Sequence, residues 1–120
     1  MIRGDLIDRL QSELDELQHD KIEDYEKSFI WIREQVDKLA DNAIYNQLVN
    51  CFEDFISWPE VKEKLLCAVY ERDSRELGFL TKQVDLDSEY YYIDANGFLC
   101  NIDEDAVYTL LDSLLYLLKR

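Results

Sequence analysis

Between Val107 and Leu118 nine of twelve residues are apolar, and on a helix they cover nearly every face: Val107, Tyr108, Leu110, Leu111, Leu114, Leu115, Tyr116, Leu117 and Leu118. A helix that is apolar all round has to be surrounded. Two arrangements satisfy it: this helix is central in the domain, or one of its faces makes a homodimer. A bilayer span is not among them, because the run is 12 residues long and a span takes about 20. Asp103 is placed to cap the helix, with Glu104 and Asp105 in its first turn and Lys119 and Arg120 at its end, all favourable for the helix dipole.

The partners for such a helix lie upstream. Leu6, Ile7, Leu10, Leu14 and Leu17 form one stripe, with Asp5 as the expected cap. Ile22, Tyr25, Phe29, Ile32, Val36, Leu39 and Ala43 alternate spacings of three and four. That seam suits bundle packing within one domain as well as an intermolecular coiled coil, and bundle packing is the expectation. Asp41 is expected to cap a third helix with the face Ile44, Leu48, Cys51, Phe52 and Phe55. Ser57-Trp58-Pro59-Glu60 has the form of a capping box opening a fourth helix, from about Trp58 to Glu71, in whose first turn proline is tolerated. Leu77, Leu80 and Val84 fit a short helix within Asp73 to Val84, although Gly78 weakens it.

After Asp85 the pattern changes from helix to strand. Tyr90-Tyr91-Tyr92-Ile93 and Phe98-Leu99-Cys100-Asn101-Ile102 flank Asp94-Ala95-Asn96-Gly97, a hairpin whose turn residues tolerate positive φ. Strand alternation puts Tyr91 and Ile93 on one side and Tyr90 and Tyr92 on the other. The expected fold is mainly α: a bundle of about five to six helices with one small β-hairpin at about residues 89–102, before the C-terminal helix. The 120 residues show no repeat, low-complexity tract or linker, so one acidic domain is expected, long enough to bury roughly two-thirds of its unfolded surface.

Chemistry-bearing motifs fail one by one. His19 is the single histidine, which excludes a histidine-based triad or a zinc site with two imidazoles within one chain. Glu16-Leu17-Gln18-His19 matches half of a di-iron bundle motif whose second copy is missing. Cys51, Cys67 and Cys100 are odd in number and widely spaced, as expected of small core residues in a reducing compartment. Gly4, Gly78 and Gly97 are isolated, so no phosphate-cradling loop exists. Acidic stretches starting at Asp85 and Asp94 both lack glycine at the sixth place of a calcium loop. The expectation is therefore a protein that is not an enzyme, without cofactor or metal. Met-Ile-Arg-Gly-Asp at the start is unlike a signal peptide, and a cytoplasmic location is expected.

What remains is charge. Twenty-seven acids against 13 bases give a formal net charge of -14, which repels nucleic acid and anionic lipid. Residues Asp5 to Glu26 carry a net -7 on ordinary helix-surface positions, Lys27 to Val84 only -2, and Asp85 to Asp112 hold eight acids and no base. In that last stretch Asp85, Asp87, Glu89, Asp94, Asp103, Glu104 and Asp105, with Tyr90 and Tyr92, have the composition of an interface: carboxylates steer and tyrosines anchor. They are the candidate partner-binding residues. The expected function is a small acidic inhibitor that neutralises a basic protein. The two kinds expected are a bacterial immunity protein against a nuclease toxin and a phage nucleic-acid mimic that blocks a defence nuclease. The alternative is an antitoxin-like adaptor or dedicated chaperone that meets its partner through apolar helix surface.

Overall fold

A computed structural model of the chain describes residues 1–71 and 84–120. The helix expected within Asp73 to Val84 lies outside the described residues except for Val84, as do the side chains of Leu65, Cys67 and Val69. The fold is helix-dominated α+β, with five α-helices and a three-stranded antiparallel sheet among the described residues. Packing divides it into two compact units, Met1–Glu53 with Asp103–Arg120, and Asp54–Ile102.

The first unit contains α1 (Arg3–Gln18), α2 (Tyr25–Asp37), α3 (Asn42–Val49) followed by a 3-10 turn (Asn50–Phe52), and α5 (Glu104–Leu118). α5 packs against α1, α2, α3 and the turn, and buries Ala106, Val107, Leu110, Leu111, Leu114, Leu115 and Leu118. It takes the central position that its all-round apolar surface demands. Each fully buried leucine stabilises by about 2 kcal/mol, so this helix is the largest source of core energy in the unit. Leu6, Leu10 and Leu17 of α1 and Phe29, Ile32 and Val36 of α2 supply the surrounding faces. Phe29 meets Phe52 edge-on with ring centroids 6.0 Å apart, and the Arg33 guanidinium lies 5.3 Å from the Phe52 ring centre.

Helix starts follow the local chemistry, with two differences. Asp41 accepts from the backbone N–H groups of Ala43 and Ile44, and Asp103 from that of Ala106. Asp5 is not a cap, because α1 starts two residues earlier and Asp5 sits in its first turn, where a carboxylate favours the dipole. The Ile22 to Ala43 seam is not one helix. Asp24 caps α2 through the Lys27 N–H, leaving Ile22 outside, and Ala43 belongs to α3. The C-terminal end of α5 is satisfied from another helix. Arg3 donates through Nε to the Leu118 carbonyl at 2.7 Å and through Nη2 to those of Leu117 and Arg120 at 3.5 and 3.2 Å. It thereby covers carbonyls that no residue of α5 itself can satisfy.

The second unit contains β1 (Phe55–Ser57), α4 (Trp58–Glu71), β2 (Tyr90–Ile93) and β3 (Leu99–Asn101), in the sheet order β1-β2-β3. β1 replaces the expected last turn of the third helix. A helix running through Phe55 would meet Pro59, whose ring clashes with the carbonyl four residues back and which has no N–H to donate. The chain therefore leaves the helix before Pro59, and the extended residues pair with the hairpin, Phe55 opposite Tyr92, Ile56 opposite Tyr91 and Ser57 opposite Tyr90. Pairing continues past both ends, with the Ile93 N–H on the Asp54 carbonyl and the Trp58 N–H on that of Glu89, both at 2.8 Å. A two-stranded hairpin is marginal alone, and the third strand relieves that.

Tyr91 is the fully buried tyrosine of β2. It sits in a cluster with Ile56, Val61 and Leu99, against which Trp58, Val84 and Ile93 pack. The hairpin turn is longer than the Asn-Gly pair alone. Gly97 takes φ +83°, whereas Asn96 is not among the positive-φ residues, and the loop closes through the Asp94 N–H on the Phe98 carbonyl at 3.0 Å.

Replacing Arg3 by alanine is expected to cost about 1–2 kcal/mol, because the half-buried carbonyls of Leu117 and Leu118 and the exposed one of Arg120 lose a charged donor. A lowered urea midpoint with an unchanged slope would register it. An unchanged midpoint would mean that water replaces the guanidinium at no cost.

Candidate functional site

The candidate residues divide between the units. Asp85, Asp87, Glu89, Tyr90, Tyr92 and Asp94 belong to the second, and Asp103, Glu104 and Asp105 to the first. Within the second unit, the segment before β2 is pinned by one side chain. Asn101 on β3 accepts from the Asp85 N–H at 2.9 Å, and its amide donates to the Asp85 carbonyl at 2.8 Å and to the Ser88 hydroxyl at 3.2 Å. The Asn101 amide thus does for Asp85 what a neighbouring strand would do, satisfying both polar groups of its peptide backbone. Asp85 in turn accepts from the Asp87 N–H at 3.0 Å, an Asx turn that bends the segment.

The result is an exposed acidic loop of defined shape. Asp85, Asp87 and Glu89 all face solvent, and Leu86 between them is 41% exposed. An apolar side chain bracketed by carboxylates can bury against a partner while the charges stay at the rim. The alternation Asp85-Leu86-Asp87 was visible in the sequence. The role of Asn101 was not, because it depends on the register of β3 against β2, in which Asn101 lies opposite Tyr91.

The tyrosines separate as strand alternation requires. Tyr91 faces the cluster, whereas Tyr90 and Tyr92 lie on the other face and are half-buried. Tyr92 stacks obliquely with Phe55, centroids 5.1 Å apart, so part of that face serves the sheet itself. Asp94 and Asp103 have structural duties as well. Asp94 accepts from the N–H groups of Asn96 and Phe98 at 2.9 and 3.0 Å and holds the hairpin turn, while the carboxylate of Asp103 caps α5. Glu104 and Asp105 are exposed in the first turn of α5.

The other acidic region contains one carboxyl that is not an ordinary surface acid. Glu13 is half-buried and accepts from the Ser28 hydroxyl at 2.8 Å. Burial pushes its pKa up, more than the Ser28 hydrogen bond lowers it, and Glu16 adds a smaller upward push. Open depressions of about 430 and 440 Å³ adjoin Trp31, both lined by Glu13 and Glu16. His19 ends α1, its Nδ1 lying 2.7 Å from the Asp15 carbonyl, which accepts from it. The Cys51 thiol is pushed up by burial and by Glu53, which disfavours the reactive thiolate. Among the described residues no three His, Cys, Asp or Glu side chains are grouped to hold a metal ion, and no helix is long and apolar enough to cross a membrane.

Comparison with protein-family models, with curated proteins and with solved structures finds no match to this chain.

Replacing Asn101 by alanine removes three hydrogen bonds and is expected to speed amide exchange at Asp85 and Asp87 while β2 keeps its protection; equal exchange in both proteins would remove Asn101 from the role of clamp. Glu13 gives a pH-dependent prediction. The folded state holds the Glu13 proton to higher pH than the unfolded chain does, so its contribution is fully present in acid and lost as pH rises through the raised value. Glu13→Gln is therefore expected to stabilise the protein at neutral pH, with the gain vanishing below the usual carboxylate range in urea titrations. A gain independent of pH would contradict this.

Proposed function

We propose that this chain is a small acidic inhibitor that docks on a basic protein and occludes its working surface. The supporting observation is the loop in which Asp85, Asp87 and Glu89 are held exposed around Leu86 by the Asn101 clamp, at the head of a 28-residue stretch without lysine or arginine. Fixing the loop in the free protein matters energetically, since a preordered surface loses less entropy on docking. The acids supply attraction from a distance, which raises association rates by roughly 10-fold to 1000-fold at low salt. Leu86 and the half-buried Tyr90 supply short-range contact.

A nuclease suits such a surface because it must itself hold a polyanion in a cationic groove. The proposed class is therefore an immunity protein against a nuclease toxin, or a phage protein that fills the nucleic-acid groove of a defence nuclease. Asp94 holds the hairpin turn and Asp103 caps α5, and the proposal is carried by the exposed loop acids Asp85, Asp87 and Glu89. The alternative, an adaptor or chaperone that meets its partner through the apolar C-terminal helix, would have to use Tyr108 and Tyr116, because seven other apolar residues of that helix are buried.

The test is to immobilise the chain, elute bound basic proteins with a salt gradient, and assay any nuclease among them for stoichiometric inhibition. The triple variant Asp85→Asn, Asp87→Asn, Glu89→Gln is expected to slow association by about 10-fold or more at low salt, with the difference closing at high salt. Binding that is indifferent both to salt and to the triple variant would sink the proposal.

A further inference from the structure

α5 leaves one stripe outside the first unit. At roughly 100° per residue, Asp105, Tyr108, Tyr116 and Lys119 all lie within about 40° of Asp112 around the helix. All five are exposed, Tyr108 by 45% and Tyr116 by 67%. Two large aromatics eight residues apart on an otherwise polar stripe are unpartnered apolar surface, and the stripe has acid at its start and base at its end.

A cleft of about 360 Å³ opens beside it, lined by Asp112, Leu115 and Tyr116 of α5, by Lys119 and Arg120 just past its end, and by Gln11 and Leu14 of α1. Asp112, Leu115, Tyr116 and Lys119 stand at positions i, i+3, i+4 and i+7. That is the four-residue hole into which a side chain from a facing helix inserts in knobs-into-holes packing. Lys119 already donates to Gln11 at 2.9 Å across one end of the cleft, which fixes its rim.

We propose that this stripe docks on the same stripe of a second copy of the chain, antiparallel, about a two-fold axis at Asp112. The register follows from the sequence. In an antiparallel pair centred on Asp112, residues equally distant from it along the helix stand at the same height. Asp105 then meets Lys119 of the second copy, and Tyr108 of the second copy arrives at the height of the hole between Asp112 and Lys119. Both ends are charge-complementary, both holes receive a tyrosine, and every contact off the axis occurs twice, as a self-complementary interface requires. Shifting the register by one turn would lose the ion pairs and misplace both tyrosines. The one unfavourable contact is Asp112 against Asp112 on the axis.

That like-charge contact makes the dimer weak. The stripe belongs to the first unit and the Asp85 loop to the second, and the proposal does not rest on the inhibitor reading. Sedimentation equilibrium of the full chain from about 10 µM to about 1 mM tests it. The wild-type average mass is expected to climb toward that of a dimer, and Asp112→Asn to tighten association by about fivefold through removal of the like-charge contact. Tyr108→Ala, which leaves the buried face of α5 untouched, is expected to weaken association by at least about tenfold with an unchanged circular dichroism spectrum. Asp105→Lys and Lys119→Asp should each weaken it and together restore it, an outcome that loss of the Lys119–Gln11 bond alone would not give. Monomers at the highest concentration in both wild type and Asp112→Asn overturn the proposal, and so does association that Tyr108→Ala leaves unchanged.

Discussion

The first unit depends on surrounding α5. A helix with leucines at 110, 111, 114, 115 and 118 is insoluble as an exposed element, and the unit is built by placing α1, α2, α3 and the 3-10 turn around it. Because α5 follows the sheet unit in the chain while its partners precede it, this core forms only when residues more than 50 positions apart in sequence come together. Arg3 ties the two ends of that arrangement, joining the start of α1 to the last carbonyls of α5. Hydrophobic burial supplies the energy here, and hydrogen bonding at the helix end supplies the alignment.

The acidity of the chain acquires structure when each carboxylate is followed to its contacts. Asp24, Asp41, Asp85, Asp94 and Asp103 all accept from backbone N–H groups, at helix starts or in turns. These aspartates cap and bend the chain because a short carboxylate reaches the N–H groups two to four residues ahead without straining the backbone. Net charge is in this sense partly a by-product of turn chemistry. Exposed acids such as Asp87, Glu104 and Asp105 are the ones left to act at a distance, and Asp85 does both.

Elements whose cause is local were legible in the sequence. α4 spans Trp58 to Glu71, with its proline in the first turn as expected, Asp41 and Asp103 cap the helices they precede, and the tyrosine strand alternates as its period requires. The seam from Ile22 to Ala43 misled because a three-four spacing persists across a helix break: Leu39 still packs, but from a turn. β1 was hidden because Phe55 continues a helical stripe, and its strand state is stabilised by β2, some 35 residues away in sequence. In the candidate interface, the composition of the Asp85 loop could be read directly. The division of labour among its acids could not, since it depends on where Asn101 and Asp94 stand in the folded hairpin.

The sequence by itself determined that this chain is helical, that its last helix must be enclosed, and that its charge repels polyanions. Periodicity, apolar content and net charge settle those points before any contact is made. Tertiary structure alone decided that a third strand completes the hairpin, that Tyr91 rather than Tyr90 or Tyr92 is enclosed, and that Asn101 fixes the acidic loop. It also decided that α5 keeps one stripe, from Asp105 to Lys119, facing solvent. The reason is the same in each case: backbone groups and apolar faces require partners, and the sequence states the requirement while only the fold assigns who meets it.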